Sequence, residues 1–515
     1  MVGSTQSVRS LIDWRAAASP HATYLISPET GRELTFFGLR QQALSVAGIL
    51  RDHGLAPGDG VALLAGNSLE AAVLFLGIMA AGCVATPLNP LLPQERLAYV
   101  LDHSDCRLVF VAPEQKVVLT RALALVTRPI IVVDAAAGGD AGTAWPFPAA
   151  EADAVCLLMY TSGTTGLPKG VRLTHSNVLR GAASVSSAHR LGPADRLLAV
   201  LPLYHINAQI VTVLAPLFHG GSVVMPYRFS TSRFWSQASE YRCTWLNVVP
   251  TMIAFLLNDT APDRDLSAIR FCRSASAPLP PEQQVAFERR FGIGIIETMG
   301  LTETAGPVFS NALPPVARKI GSPGRPFGNK ARVADPESGA PVAAGEVGEI
   351  QIRGPNVMQG YHKDPGETAR TITADGWLRT GDLGYRDADG FFFVTGRLKE
   401  LIIKGGENIA PREIDEALLR HPALLEAAAV GAPDPFYGQD IEAGVVVKPG
   451  MTVSEAELRA FCEQQLGRFK TPRAVRILDA LPKGPSGKVQ RLRLLNDSIP
   501  CRPISARTTS AEETT

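Results

Sequence analysis

The stretch YTSGTTGLPKG, residues 160–170, decides how this chain folds and what it handles. It packs four small hydroxyl residues, three glycines and one lysine into eleven positions, directly after an apolar run at residues 154–160 that reads as a buried strand. Gly163 and its small neighbours let backbone N–H groups close on a polyphosphate. The hydroxyls of Thr161, Ser162, Thr164 and Thr165 add donors, and Lys169 adds positive charge. A generic solvated loop has the same composition without this order. The nucleotide loop G-x-x-x-x-G-K-[ST] needs glycine before its lysine and a hydroxyl after it. Pro168 and Gly170 stand in those places, so the phosphate loop is of another kind.

On the N-terminal side of the loop, a helical stretch at residues 37–53 alternates with β-rich runs at 60–64, 108–111 and 129–133. Such alternation predicts an α/β fold with largely parallel sheets. The apolar run 71–85 is too short to span a bilayer, contains Gly77 and Gly82, and reads as a buried helix running into a strand. On the C-terminal side the pattern continues through 211–225, 244–257 and 269–274, and then changes between about 320 and 397 to short strands with Gly/Pro turns, a β-rich subdomain. A helix is expected from Pro411, with Ile414, Leu418 and Leu419 on one face. Strands at 426–430 and 442–448 and a helix at 454–466 then complete a separate C-terminal domain. The tail 500–515 is polar and expected to be disordered.

Composition narrows the partners. Lys plus Arg (50) nearly cancels Asp plus Glu (49), which argues against nucleic acid and against an anionic membrane surface. The seven cysteines show no C-x-x-C pair or metal-ligand spacing, and the first twenty residues lack the apolar core of a signal peptide. A reducing cytoplasm is expected.

In its order and wording the loop resembles the signature of the adenylate-forming superfamily of acyl-CoA synthetases, luciferases and nonribosomal peptide adenylation domains. Further motifs follow in that family's order over nearly the whole chain. The resemblance implies a large N-terminal domain of layered α/β sheets (residues 1–398) and a small mobile α+β lid (399–499). The substrates it implies are a carboxylic acid, ATP and coenzyme A, with Mg²⁺ as cofactor. A homodimer is left open.

It also implies roles for individual residues. The turn Ser274-Ala275-Ser276-Ala277 resembles the adenine-binding turn. Met299-Gly300-Leu301-Thr302-Glu303 resembles Y-G-x-T-E, which places Thr302 near the α-phosphate and Glu303 on the metal, with Met299 where the family usually stacks a tyrosine on adenine. Asp382 followed by Arg397 resembles the pair that holds the ribose, Lys399 the hinge, and Lys404-Gly405-Gly406-Glu407 the loop beside the pantetheine tunnel. The segment Pro482-Lys483-Gly484-Pro485-Ser486-Gly487-Lys488 makes Lys488 the lysine that reaches the α-phosphate and acyl oxygens.

For the acid, His205 resembles the gate residue near the acyl carboxylate, while Asn207, Gln209, Asn247, Ser274 and Gly306 are expected to line the pocket. Arg228-Phe229-Ser230, Phe234-Trp235 and Thr244-Trp245 resemble the oxalate–CoA ligase-like subgroup. Where that subgroup has a histidine after its T-E pair, this chain has Thr304-Ala305-Gly306-Pro307. The expected substrate is therefore a short acid with another polar or anionic end, such as a dicarboxylate or sulfonated acid. Aromatic and medium-chain acids, or loading of a carrier protein, are the alternatives.

Overall fold

The computed structural model describes residues 6–138, 142, 144–161, 167–258, 264–313, 316–483 and 489–496. The chain divides into two compact units, Met1–Thr380 with Tyr385–Val394, and Gly381–Gly384 with Thr395–Thr515.

Two large sheets build the first unit. In one, the strands Gly60–Leu64, Val84–Pro87, Cys106–Val111 and Ile131–Asp134 run parallel, and Val155–Thr161 joins them beside Val84–Pro87. In the other, Arg196–Ala199, Trp245–Val248, Phe271–Ser274 and Ile295–Leu301 are parallel neighbours. One apolar cluster joins both, with Val61, Ala85 and Leu157 from the first sheet and Leu25, Leu197, Val223 and Trp245 from the second.

The helix Leu69–Ala80 lies in this cluster and is buried at every position except Glu70. Its all-round apolar character follows from that position, and Ser68 caps its start by accepting the N–H of Ala71 at 3.0 Å. Gly77 lets it approach the helix Phe36–Asp52, since a Cβ there would lie 2.8 Å from the Val46 Cβ. The helix expected at 37–53 starts one residue earlier, because Thr35 caps it through the N–H of Gly38. In the β-rich region, Lys330–Ala334 pairs antiparallel with Gly348–Arg353.

In the second unit the helices Pro411–Leu419 and Glu455–Leu466 pack on the strands Leu424–Asp434 and Gly438–Val447 through Ile414, Leu418, Val445, Leu458 and Cys462. These strands are longer than the expected 426–430 and 442–448. They form one hairpin, whose turn is stitched by the Asp434 carboxylate accepting the N–H groups of Phe436 and Tyr437, each at 2.9 Å. Among the described residues no helix is long and apolar enough to cross a membrane.

Burial holds three histidines of the first unit neutral, pushing His175 and His219 down to about 4 and His189 to about 3 from an ordinary 6.5. As pH falls below 6.5 the unfolded chain takes up protons that the folded chain refuses, so stability is full above that pH and drains away toward pH 4. The melting temperature is expected to fall over that window and to fall less steeply in His189→Gln. A flat profile would show that the three rings stay neutral in both states.

Candidate active site

The strands Val155–Thr161 and Lys169–Thr174 pair antiparallel, with Tyr160 opposite Gly170 and Thr161 opposite Lys169. Both ends of the phosphate loop are thus fixed by a ladder, while Ser162, Gly163, Thr164 and Thr165 lie outside the described residues. At the base, Nδ1 of His103 and the Tyr160 hydroxyl are 2.8 Å apart. Lys169 forms an ion pair with Glu367 and its ammonium stands 5.5 Å from the ring centre of Tyr361. The Tyr361 hydroxyl donates to Oε1 of Glu303 at 2.9 Å.

Lys169 and Glu303, far apart in sequence, therefore share one polar chain through Tyr361. The Lys169 hydrogen bond holds the Glu367 carboxyl below its ordinary range, and burial beside Glu303 pushes the Tyr361 phenol up, so the hydroxyl stays a donor. Neither Tyr361 nor Glu367 was expected from the sequence. Nothing local marks them, and only the pairing of Gly360–Tyr361 with the loop's second strand brings them in.

Thr302 and Glu303 sit in the short turn Thr302–Thr304, where the Glu303 carbonyl accepts the N–H of Met358 at 2.8 Å. Close packing fixes this turn. A Cβ on Gly300 would lie 2.1 Å from the carbonyl oxygen of Gly306, and one on Gly181 would lie 2.3 Å from that of Ala305. Ala305 and Gly306 both take positive φ, +48° and +102°. Met299 faces Phe309 across the hairpin and packs against its cluster.

Among the described residues no three His, Cys, Asp or Glu side chains converge on a metal position. A single carboxylate, Glu303, fits a hard divalent ion that takes its remaining oxygens from phosphates and water.

The expected acyl wall comes together in part. Asn247 donates to Oδ1 of Asn207 at 3.2 Å, and Asn207 donates to the Ser276 hydroxyl at 3.1 Å. Both amides also receive Arg273, whose Nη1 donates to Asn207 Oδ1 at 2.9 Å and to Asn247 Oδ1 at 2.6 Å. Asn207 immediately precedes a π-helix, Ala208–Leu214. Gln209, within that helix, turns away to donate to the carbonyl of Leu203 at 2.7 Å. His205 stacks edgewise on Tyr204 at 4.5 Å, and Gly306 lies against Ile210 of the π-helix.

Ser274 and Ala275 are buried, Ala277 is half-buried, and Ser276 is exposed with φ +73°. Arg273 was missed because the motif was read from Ser274 onward. Its signal was an arginine inside an otherwise apolar strand flanked by parallel neighbours.

In the second unit, Nε of Arg397 and Oδ1 of Asp382 are 2.9 Å apart. Lys399 is exposed in the turn Leu398–Glu400. Lys404 is buried, 2.5 Å from Asp440 Oδ1, with the rings of Tyr437 and Phe469 at 5.5 and 5.2 Å. Gly405 and Gly406, at φ +57° and +86°, make the two-residue turn that pairs Lys404 with Glu407. Both positive values are what such a hairpin turn requires. Lys483 pairs with Glu426 at 2.7 Å, and Lys488 lies outside the described residues.

Residues 12–362 match the AMP-binding enzyme family and residues 413–488 the AMP-binding enzyme C-terminal domain. The chain belongs to this family, as an acid–thiol ligase of the AMP-forming acyl-CoA synthetase class. It is 55% identical over 498 residues to a sulfoacetate–CoA ligase of Cupriavidus necator, covering 95% of this chain and 97% of that one. It is 36% identical to an oxalate–CoA ligase of Arabidopsis thaliana, over 86% of this chain and 89% of the relative. Among solved structures, ATP-bound MatB from Rhodopseudomonas palustris superposes with a TM-score of 0.88 at 31% identity, covering 95% and 98%.

Proposed function

We propose that this chain joins CoA to a short acid that carries a second, anionic group, with sulfoacetate the foremost candidate. The observation that carries the reading is the 55% identity to a sulfoacetate–CoA ligase along almost the full length of both chains. The Asn207–Asn247–Arg273 cluster supports it, since it gives this wall a polar and cationic character that an aromatic or aliphatic tail does not match.

In the first half-reaction a carboxylate oxygen of the acid bonds to the α-phosphorus of ATP as the bond to the bridging oxygen of pyrophosphate breaks. In the second, the CoA sulfur bonds to the acyl carbon, AMP leaves, and the thiol proton passes to solvent. No protein nucleophile is required, so the residues position and neutralise. Thr161, Ser162, Gly163, Thr164, Thr165 and Lys169 would hold the outer phosphates. Thr302 and Lys488 would serve the α-phosphate, and Glu303 would hold Mg²⁺, which supplies charge neutralisation on the phosphate oxygens.

The turn Ala275, Ser276, Ala277 with Met299 and Gly300 would seat adenine, and Asp382 with Arg397 the ribose. His205 would stand beside the acyl carboxylate. Lys399, at the junction of residues 1–398 with 399–499, would be the pivot between half-reactions, and the segment Lys404, Gly405, Gly406, Glu407 would serve CoA in the second.

A turnover panel with ATP, Mg²⁺ and CoA tests the reading, using sulfoacetate, malonate, oxalate, acetate, octanoate and ferulate. Sulfoacetate is expected to give the highest kcat/KM, in steady turnover with free CoA. A panel led by ferulate or octanoate overturns the acid class, and adenylate formation without transfer to CoA would point to a carrier-protein acceptor.

A further inference from the structure

Arg273 is 1% exposed in the strand Phe271–Ser274, in register with Asn247 on one side and Ile296 on the other. A guanidinium removed from water is normally met by a carboxylate. Here no acidic side chain among the described residues meets it; its partners are the neutral amide oxygens of Asn207 and Asn247. Both of those bonds leave from Nη1, and Nε is buried without a partner. Nε, a donor on the edge of the fork suited to bidentate pairing with an oxyanion, is therefore unsatisfied.

Arg15 shows what a purely structural guanidinium looks like in this fold. It is also buried without a carboxylate, but its Nε donates to the Leu217 carbonyl at 2.8 Å and its Nη2 to that of Phe218, at the end of the helix Ala215–His219. The negative end of that helix compensates it. Arg273 has no such carbonyls.

Its two amides instead link it by hydrogen bonds toward the surface. Asn247 is fully buried, Asn207 is 8% exposed, and Asn207 donates to the exposed Ser276 in the turn assigned above to adenine. Burial pushes the guanidinium down to about 9, so it remains a cation at neutral pH.

We propose that Arg273, held by Asn207 and Asn247, receives the terminal oxyanion of the acid, a sulfonate in the first instance, and so sets the choice of substrate. The substrate supplies the counter-charge that the chain withholds. An acid ending in methyl leaves the cation unpaired, which is discrimination by an unsatisfied partner. This inference rests on the proposed acid class.

The test compares kcat/KM for sulfoacetate and for propionate in the full chain and in Arg273→Met and Arg273→Lys. The sulfoacetate-to-propionate ratio is expected to fall about 10- to 100-fold in Arg273→Met, the range for a lost hydrogen bond to a charged group. Arg273→Lys should fall in between, and the change should appear chiefly in the KM for sulfoacetate. An unchanged ratio overturns the proposal, as does equal loss on both acids, which would make Arg273 a structural support. If Arg273→Met does not fold, the comparison is made on Arg273→Lys, whose ratio should still fall below that of the unsubstituted chain. Sulfoacetate turnover with an unshifted ratio removes this inference and leaves the acid class standing, whereas an unsubstituted chain that ignores every anion-ended acid removes both.

Discussion

Lys488→Ala is expected to lose about 1,000-fold in the rate of acyl-adenylate formation, the low end of what a cation placed on a transferring phosphoryl group supplies. The loss should be confined to that half-reaction. The attack on the α-phosphorus builds charge on oxygens that a lysine ammonium stabilises, whereas the thiol's attack on the acyl carbon expels AMP and builds no pentavalent phosphorus. Pyrophosphate release reports the first step, and single-turnover thioester formation from supplied acyl-adenylate and CoA reports the second. A large deficit in the first with a small one in the second is the expected pattern. Equal deficits would mean that one arrangement of Lys488 serves both steps, and the pivot at Lys399 would lose its reason.

Glu303→Gln should cost adenylate formation about 100-fold and move its Mg²⁺ dependence to higher concentration. The substitution is chosen because of Tyr361. Its hydroxyl donates to Oε1 of Glu303, and an amide oxygen can accept that same bond, so glutamine keeps the side chain placed while removing its charge. Tyr361→Phe makes the reverse change, removing the bond and keeping the carboxylate. If the carboxylate serves as metal ligand, Glu303→Gln is the more damaging of the two and is partly rescued by excess Mg²⁺. Were Tyr361→Phe the more damaging, with no metal rescue in either variant, Glu303 would act as an anchor for the turn. The link from Tyr361 onward to Lys169 adds a check, because loosening either residue should also weaken the hold on the outer phosphates.

Periodicity made much of the fold legible. The run at 71–85 has no polar face and reads as a buried helix running into a strand; Leu69–Ala80 is that helix and Val84–Pro87 that strand. Pro411 placed a helix start correctly because proline suits a first turn. The limits were equally physical. A β-strand's alternation says which residues share a face, but which face meets the neighbouring helix is set by tertiary packing. For Phe271–Ser274 the sequence therefore left open that Arg273 would point into Asn207 and Asn247. Asn207, Gln209 and Asn247 were readable together as polar lining, and the structure brings Asn207 to Asn247. Gln209 has the same chemistry two residues on, but the π winding carries it to the Leu203 carbonyl instead.

That winding has a consequence for how such a pocket diverges. A π-turn holds more residues per turn than the α-helix that follows it, Ala215–His219, and the segment Ala208–Leu214 is wedged through Ile210 against Gly306 and Gly181. Loss of a single residue there would let the segment relax to α geometry and swing Asn207 by about 100° around the axis. The bonds that Asn207 makes with Arg273, Asn247 and Ser276 would be lost, while none of them involves the ladder that carries Lys169. Under the proposed roles, chain length in this one helix would therefore act on the acid wall through Asn207 and Asn247 and, through Ser276, on the adenine turn as well.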